Sequence, residues 1–160
     1  MFNEIELSKD RQTNYAKLLE TVPFYLERRD PLVSNLSNLS ALLNYFLDEI
    51  NWVGFYLFDQ DSLYLGPFQG YPACTKITLG QGVCGTSAKT QETVIVDDVT
   101  KFPGHIFCDA ASRSEIVVPI VKNDVLIGVL DVDAPKVGRF DSLDQNVLEK
   151  VVRALVDILE

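Results

Sequence analysis

The chain has 160 residues, 47% hydrophobic and 23% charged, with 9 Gly and 7 Pro; this is the make-up of a single globular domain over 1–160 and excludes a disordered, collagen-like or solenoid chain. A balance of 14 Lys+Arg against 23 Asp+Glu leaves a net charge of −9, which argues against nucleic acid as a partner because that binding rests on neutralising phosphates. No apolar run approaches the ~18 residues that span a bilayer, and the start Met1-Phe2-Asn3-Glu4-Ile5-Glu6 lacks the basic and apolar regions of a secretory leader, so the expected location is the cytoplasm.

The first fifty residues read as helical. Tyr15, Leu18, Leu19 and Val22 keep the spacing of one helix face until Pro23 interrupts it. After Pro31, the series Leu36, Leu39, Leu42, Leu43, Phe46, Leu47, Ile50 forms a cleaner stripe. These stripes would serve equally to pack on a sheet or to pair two chains. Trp52 to Phe58, Asp59-Gln60-Asp61-Ser62 and Leu63-Tyr64-Leu65 read as a β-hairpin, Thr93 to Val96 as a short strand, and Glu115–Val121 with Val125–Asp133 as a second hairpin. Gly66 to Gly104 is rich in Gly and Pro and reads as irregular, which in a compact domain marks function. A last helix starts at Asp141 as N-cap and carries Leu143, Val147, Leu148, Val151, Val152, Leu155, Val156 and Leu159. Helices before and after an antiparallel sheet of five or six strands give an α+β sandwich.

Three cysteines and one histidine pose the chemical question. An odd count leaves one cysteine unpaired, and a reducing compartment does not maintain structural disulfides. Cys74, Cys84 and Cys108 are therefore buried hydrophobes, metal ligands or reactive thiols, and their places in or beside the irregular stretch favour access. If Val83 to Lys89 is a short helix, Cys84 lies in its first turn, where the helix dipole favours a thiolate. Gly80-Gln81-Gly82-Val83-Cys84-Gly85 matches G-x-G-x-x-G, but no βαβ unit follows, so a dinucleotide site is rejected. A zinc site from Cys74, Cys84, Cys108 and His105 has the right inventory without the usual close cysteine pair. A Cys–His dyad from His105 and Cys108 lacks an oxyanion-hole pattern.

Carboxylates give a second signal. The apolar strand from Val125 ends in Asp131-Val132-Asp133, and residues two apart share a strand face. Either the strand emerges into solvent there, or the acids line a site. With a three-residue turn Glu115 would lie opposite Asp131 or Asp133 on that face; with a two-residue turn it would face away. Clustered acids would hold a substrate cation, and their repulsion would raise at least one pKa toward general-acid duty. Trp52 and Tyr56 share a face across Gly54, either as core or as an aromatic wall for a small ligand with a methyl or cationic group.

Taken together, Asn51-Trp52-Val53-Gly54-Phe55-Tyr56, Leu65 to Gly70, Gly80 to Gly85, His105 to Asp109 with Ser112-Arg113-Ser114-Glu115, and Gly128 to Asp133 closely resemble the free methionine-(R)-sulfoxide reductases, stand-alone enzymes with a GAF fold. The likeness covers nearly the whole chain, most strongly Trp52 to Pro135. It implies a six-stranded antiparallel sheet with helices on both faces. It implies that Cys84 and Cys108 pair as a disulfide, that Cys108 attacks the sulfoxide, and that Cys74 acts in resolving or recycling. Glu115, Asp131 and Asp133 would bind the ammonium and sulfoxide groups, and Trp52 and Tyr56 would shape the pocket at the methyl end. The implied reaction needs no metal or bound cofactor, only an external dithiol such as thioredoxin. A non-catalytic GAF-type small-ligand sensor and a zinc-stabilised structural domain are the rival classes.

Overall fold

The computed structural model describes residues 2–105 and 108–159, so Met1, Glu160 and the Ile106-Phe107 pair of the His105–Asp109 motif lie outside the described residues. Helix α1 (Arg11–Thr21) is capped by Asp10, whose side chain accepts from Thr13 N, and runs into a 3-10 turn at Val22–Tyr25 where Pro23 sits. Helix α2 (Leu32–Phe46) ends before the apolar stripe does: Glu49 takes a left-handed φ of 52°, and Leu47 and Ile50 reach the core from non-helical chain.

Strands β1 (Trp52–Asp59), β2 (Ser62–Gln69), β3 (Lys76–Thr78), β4 (Val94–Val96), β5 (Ser114–Lys122) and β6 (Val125–Ala134) form one sheet in the order β3-β2-β1-β6-β5-β4, all pairs antiparallel. The sequence from Gly66 to Gly104 is more regular than its composition suggests. β2 continues through Gly66-Pro67 to Gln69, and β3, α3 (Gly82–Thr90) and β4 follow. Pro67 is tolerated because β3 pairs only with Ser62 to Tyr64, which leaves the outer side of the later β2 unpaired, and the β1–β2 register shifts opposite it.

Helix α4 (Ser142–Ile158) begins with a capping box in which Asp141 accepts from Leu143 N and Asp144 N while Asp144 accepts from Asp141 N. One sheet face is apolar through its centre: Val53, Phe55, Ile116, Val118, Leu130 and Val132 pack with α1, α2 and α4 into the main core. A buried charged knot ties that layer together. Arg139 donates to Asp144 at 3.0 Å, to Asp48 at 2.8 Å and to the Tyr15 hydroxyl at 3.2 Å. Among the α-helices α3 alone packs on the opposite face, with Val83, Cys84 and Ala88 against Trp52, Tyr56, Val117 and Val129, and Val99 joins them from a 3-10 turn. Helices thus lie on both faces, as expected, three on one and one on the other.

Candidate active site

The pocket is made by alternation. In β1, Trp52, Gly54 and Tyr56 point away from the main core that Val53 and Phe55 enter, and the register places Trp52 opposite Asp133 and Gly54 opposite Asp131. Glu115 sits opposite Asp133 and Val117 opposite Asp131. The β5–β6 turn has only two residues, Asn123 and Asp124, with φ of 49° and 64°. A two-residue turn alone would send Glu115 to the other face. A register shift between Ile120 and Val121 skips Ile127 and reverses the parity. The strand does not emerge into solvent at its end: Asp131 and Glu115 are each 6% exposed and Asp133 is partly buried.

Three carboxyls in one dry place are held toward their acid forms. Burial first, then the charges of Asp131 and Asp133, push Glu115 well above the usual range. Burial likewise raises Asp133, with Asp131 and Asp109 adding to it. Asp131 is pushed up to about 7 by burial, against hydrogen bonds from Cys84 and Glu115 that oppose the rise. Burial lowers His105, whose Nδ1 lies 4.0 Å from Glu115 Oε2.

The cysteines separate into two environments. Cys74 and Cys108 are joined as a disulfide with Cα atoms 5.2 Å apart, and Cys84 is a buried free thiol. This corrects the Cys84–Cys108 pairing. Cys74 and Cys108 are both partly exposed and outside the helices and strands, free to meet, whereas Cys84 is fixed in the first turn of α3. The disulfide also removes two ligands from the Cys3His zinc set. Nor is Cys84 poised as a thiolate. Burial, Asp131, Glu115 and Asp133 raise its pKa well above normal, and its Sγ donates to Glu115 Oε1 at 3.8 Å; tertiary carboxylates outweigh the helix terminus.

The glycine-rich motif has a packing role. Gly80 N donates to Gly85 O at 2.8 Å, and a Cβ on Gly85 would lie 2.6 Å from Thr78 O, so these glycines let α3 start hard against β3. A Cβ on Gly54 would lie 2.3 Å from Phe68 Cβ and 2.7 Å from the Trp52 ring. Its absence lets Trp52 stack on Phe68 and Tyr56, with ring centres 5.3 Å and 5.9 Å away. Trp52 Nε1 donates to Tyr71 O, and Tyr56 Oη to Cys74 O, both at 3.1 Å, which ties the aromatic wall to the loop bearing Cys74.

All the singled-out acids and aromatics, with Cys84 and Cys108, line one cavity of about 30 Å³. Cys74 joins it through its bond to Cys108. Asp109 and Ser112, assigned no role by sequence, also line it, and Asn51 Nδ2 donates to Asp109 Oδ2 at 2.9 Å and to Ser112 Oγ at 3.1 Å, clamping the segment that follows Cys108. Asn, Asp and Ser in loops read as turn formers, so their only signal was nearness to Cys108 and Trp52.

A curled six-stranded antiparallel sheet with this helix arrangement is the architecture of GAF domains, and the GAF domain family model matches residues 37–160. The chain belongs to that family. Free methionine-R-sulfoxide reductase of Escherichia coli is 45% identical over 91% of this chain and 88% of its own, and that of Saccharomyces cerevisiae 48% identical over 77% and 73%. The X-ray structure of free methionine-R-sulfoxide reductase from Neisseria meningitidis in complex with its substrate superposes with a TM-score of 0.92 at 38% identity, covering 99% of this chain and 95% of that one. Within the GAF domains, this chain is a member of the free methionine-R-sulfoxide reductase family.

Proposed function

We propose that the protein reduces free methionine-(R)-sulfoxide to methionine, with Cys108 as nucleophile and Cys74 as the resolving thiol. The observation that carries this reading is a disulfide joining Cys74 to Cys108 at the mouth of a pocket floored by Glu115, Asp131 and Asp133. The Cys108 sulfur attacks the sulfoxide sulfur while a carboxylic acid of the floor protonates the departing oxygen. The S–O bond breaks as the oxygen passes to the Cys108 sulfur, the transient S–S bond to the substrate breaks with its electron pair going to the methionine sulfur, and methionine leaves Cys108 as a sulfenic acid. The Cys74 thiol then condenses with it, releasing water and forming the disulfide. An external dithiol such as thioredoxin returns both thiols and is itself oxidised.

The acids also define the substrate. A free amino acid brings an ammonium that a residue within a protein lacks, and an ionised carboxyl left unpaired in a dry pocket is costly. Trp52 and Tyr56 offer ring faces to the methylthio end. Cys108 has no free thiol to attack with while it is bonded to Cys74. In this reading, reduction of the disulfide precedes each attack. Cys84 remains a thiol through the cycle, donating to Glu115.

The test is a thioredoxin-coupled assay on separate R and S epimers of free methionine sulfoxide and on an N-acetylated R epimer. Turnover of the free R epimer alone is expected, with two thiols lost per single turnover. Equal rates on the N-acetylated form would overturn the role of the acids, and no loss of thiols would favour a sensor of small ligands.

A further inference from the structure

Cys84, Glu115 and Asp131 each present one ligand atom, a thiol sulfur or a carboxylate oxygen, and the three atoms lie within 4.8 Å of one another with all three residues buried. They come from α3, β5 and β6, three elements held by the sheet register rather than by loops. A second observation is independent of the clustering. Asp131 is 6% exposed, lines the cavity, and its Oδ1 has no hydrogen-bond partner among the described residues. A buried carboxylate oxygen without a donor is costly, and a cation is one of the few partners that would satisfy it. The cavity, about 30 Å³, suits an occupant the size of a water or an ion.

We propose that Cys84, Glu115 and Asp131 form a binding site for a borderline-soft divalent cation, zinc in the first instance, in the place where the substrate ammonium would sit. One sulfur and two carboxylate oxygens make a mixed donor set. Calcium and magnesium take oxygen ligands, and copper(I) favours purely soft ones, whereas zinc accepts both kinds. On binding, an S–Zn bond and two O–Zn bonds form, the thiol proton and any carboxyl proton pass to solvent, and no oxidation state changes. Three protein ligands leave a fourth position for water. Cys84 stands outside the Cys74–Cys108 disulfide, so the site survives oxidation of that pair. Competition between zinc and methionine sulfoxide rests on the function proposed above; zinc binding itself does not.

The double variant Cys74→Ser/Cys108→Ser leaves Cys84 as the remaining thiol of the 3 cysteines. After chelator treatment it is titrated with cobalt(II) alone. One equivalent is expected to bind, with a thiolate-to-cobalt charge-transfer band that zinc displaces. Adding Cys84→Ser should abolish the band, and adding Asp131→Asn should weaken binding by about tenfold or more. Should the Cys84 variant fail to fold, Glu115→Gln tests the site instead: it keeps the thiol and should weaken cobalt binding by about tenfold or more, and unchanged affinity overturns the site. Absence of the band in the double variant, or its survival in Cys84→Ser, overturns the site. In wild type, zinc should raise KM for the sulfoxide with kcat unchanged. A chain that reduces the sulfoxide but shows no band loses the site and keeps the reaction; a band in a chain that reduces nothing keeps the site and loses the reaction.

Discussion

The two faces of the sheet are built from the same strands and do opposite things with buried groups. On the helical face Val53, Phe55, Leu130 and Val132 are fully buried among other apolar side chains. One residue away in each strand, Gly54 leaves a gap and Asp131 and Asp133 bring carboxyls held toward their acid forms into a pocket. Charge is also buried on the helical side, but there Arg139 meets Asp144 and Asp48 directly. The first face spends its burial on stability. The second holds carboxyls whose ionised forms burial makes costly, and which a proton or a bound cation would satisfy.

The largest expected effect falls on the second face alone. Cys108→Ser should cut single-turnover reduction by roughly 10³-fold or more while leaving the thermal midpoint of the reduced protein nearly unchanged. Cys74→Ser should keep the first turnover and lose the later ones, since the sulfenic acid would find no resolving thiol. Retention of activity in Cys108→Ser would move the nucleophile elsewhere, and multiple turnovers in Cys74→Ser would return the resolving role to Cys84.

Neighbouring substitutions in β6 then set the faces against each other. Leu130→Ala, within the main core, should cost about 2–5 kcal/mol of stability with kcat unaltered in the folded fraction. Asp131→Asn, one residue on, should lower kcat by about 10²-fold yet stabilise the protein at alkaline pH. Asp131 has a pKa near 3.8 in the unfolded chain and about 7 when folded. Folding therefore favours its acid form: the stability is full below about pH 4 and is lost as pH rises through 7. At pH 8 the asparagine variant should be more stable by on the order of 4 kcal/mol, and at pH 4 nearly equal to wild type. Urea denaturation at both pH values measures this directly. A variant less stable at pH 8 would mean that Asp131 is neutralised by a partner.

The helical face was the more legible of the two in sequence. The stripe from Leu143 to Leu159 and the cap at Asp141 lie within one segment, and local periodicity suffices to read them. The acid cluster depends on parity. Whether Glu115 joined Asp133 turned on a single skipped residue, Ile127, in a β-strand whose apolar run shows no mark of it. Cys84 was misread as a thiolate for a related reason. Its helix terminus is local and visible, while the burial that overrules it, with the carboxylates that add to it, comes from strands more than thirty residues away. The choice of disulfide partners likewise belongs to the way Tyr56 and Asn51 hold the segments around Cys74 and Cys108, which no spacing encodes.

The smallest expected effect probes the seam between wall and loop. Tyr56 is nearly fully buried, and its hydroxyl donates to the backbone oxygen of Cys74 at 3.1 Å. Burial and the charges of Asp131 and Cys84 raise its pKa, so it remains a neutral donor across the working range. Tyr56→Phe keeps the ring and its stacking on Trp52 and removes only that bond. The Cys74 carbonyl is then free to find water, which limits the loss of stability to about 1 kcal/mol. The first-turnover rate, set at Cys108, should change less than the rate of disulfide closure, because closure needs Cys74 held in reach. Quenched-flow counting of thiols separates the two steps. An equal slowing of both would make Tyr56 part of the substrate pocket alone, whereas slowing confined to closure shows that the aromatic wall also positions the resolving thiol.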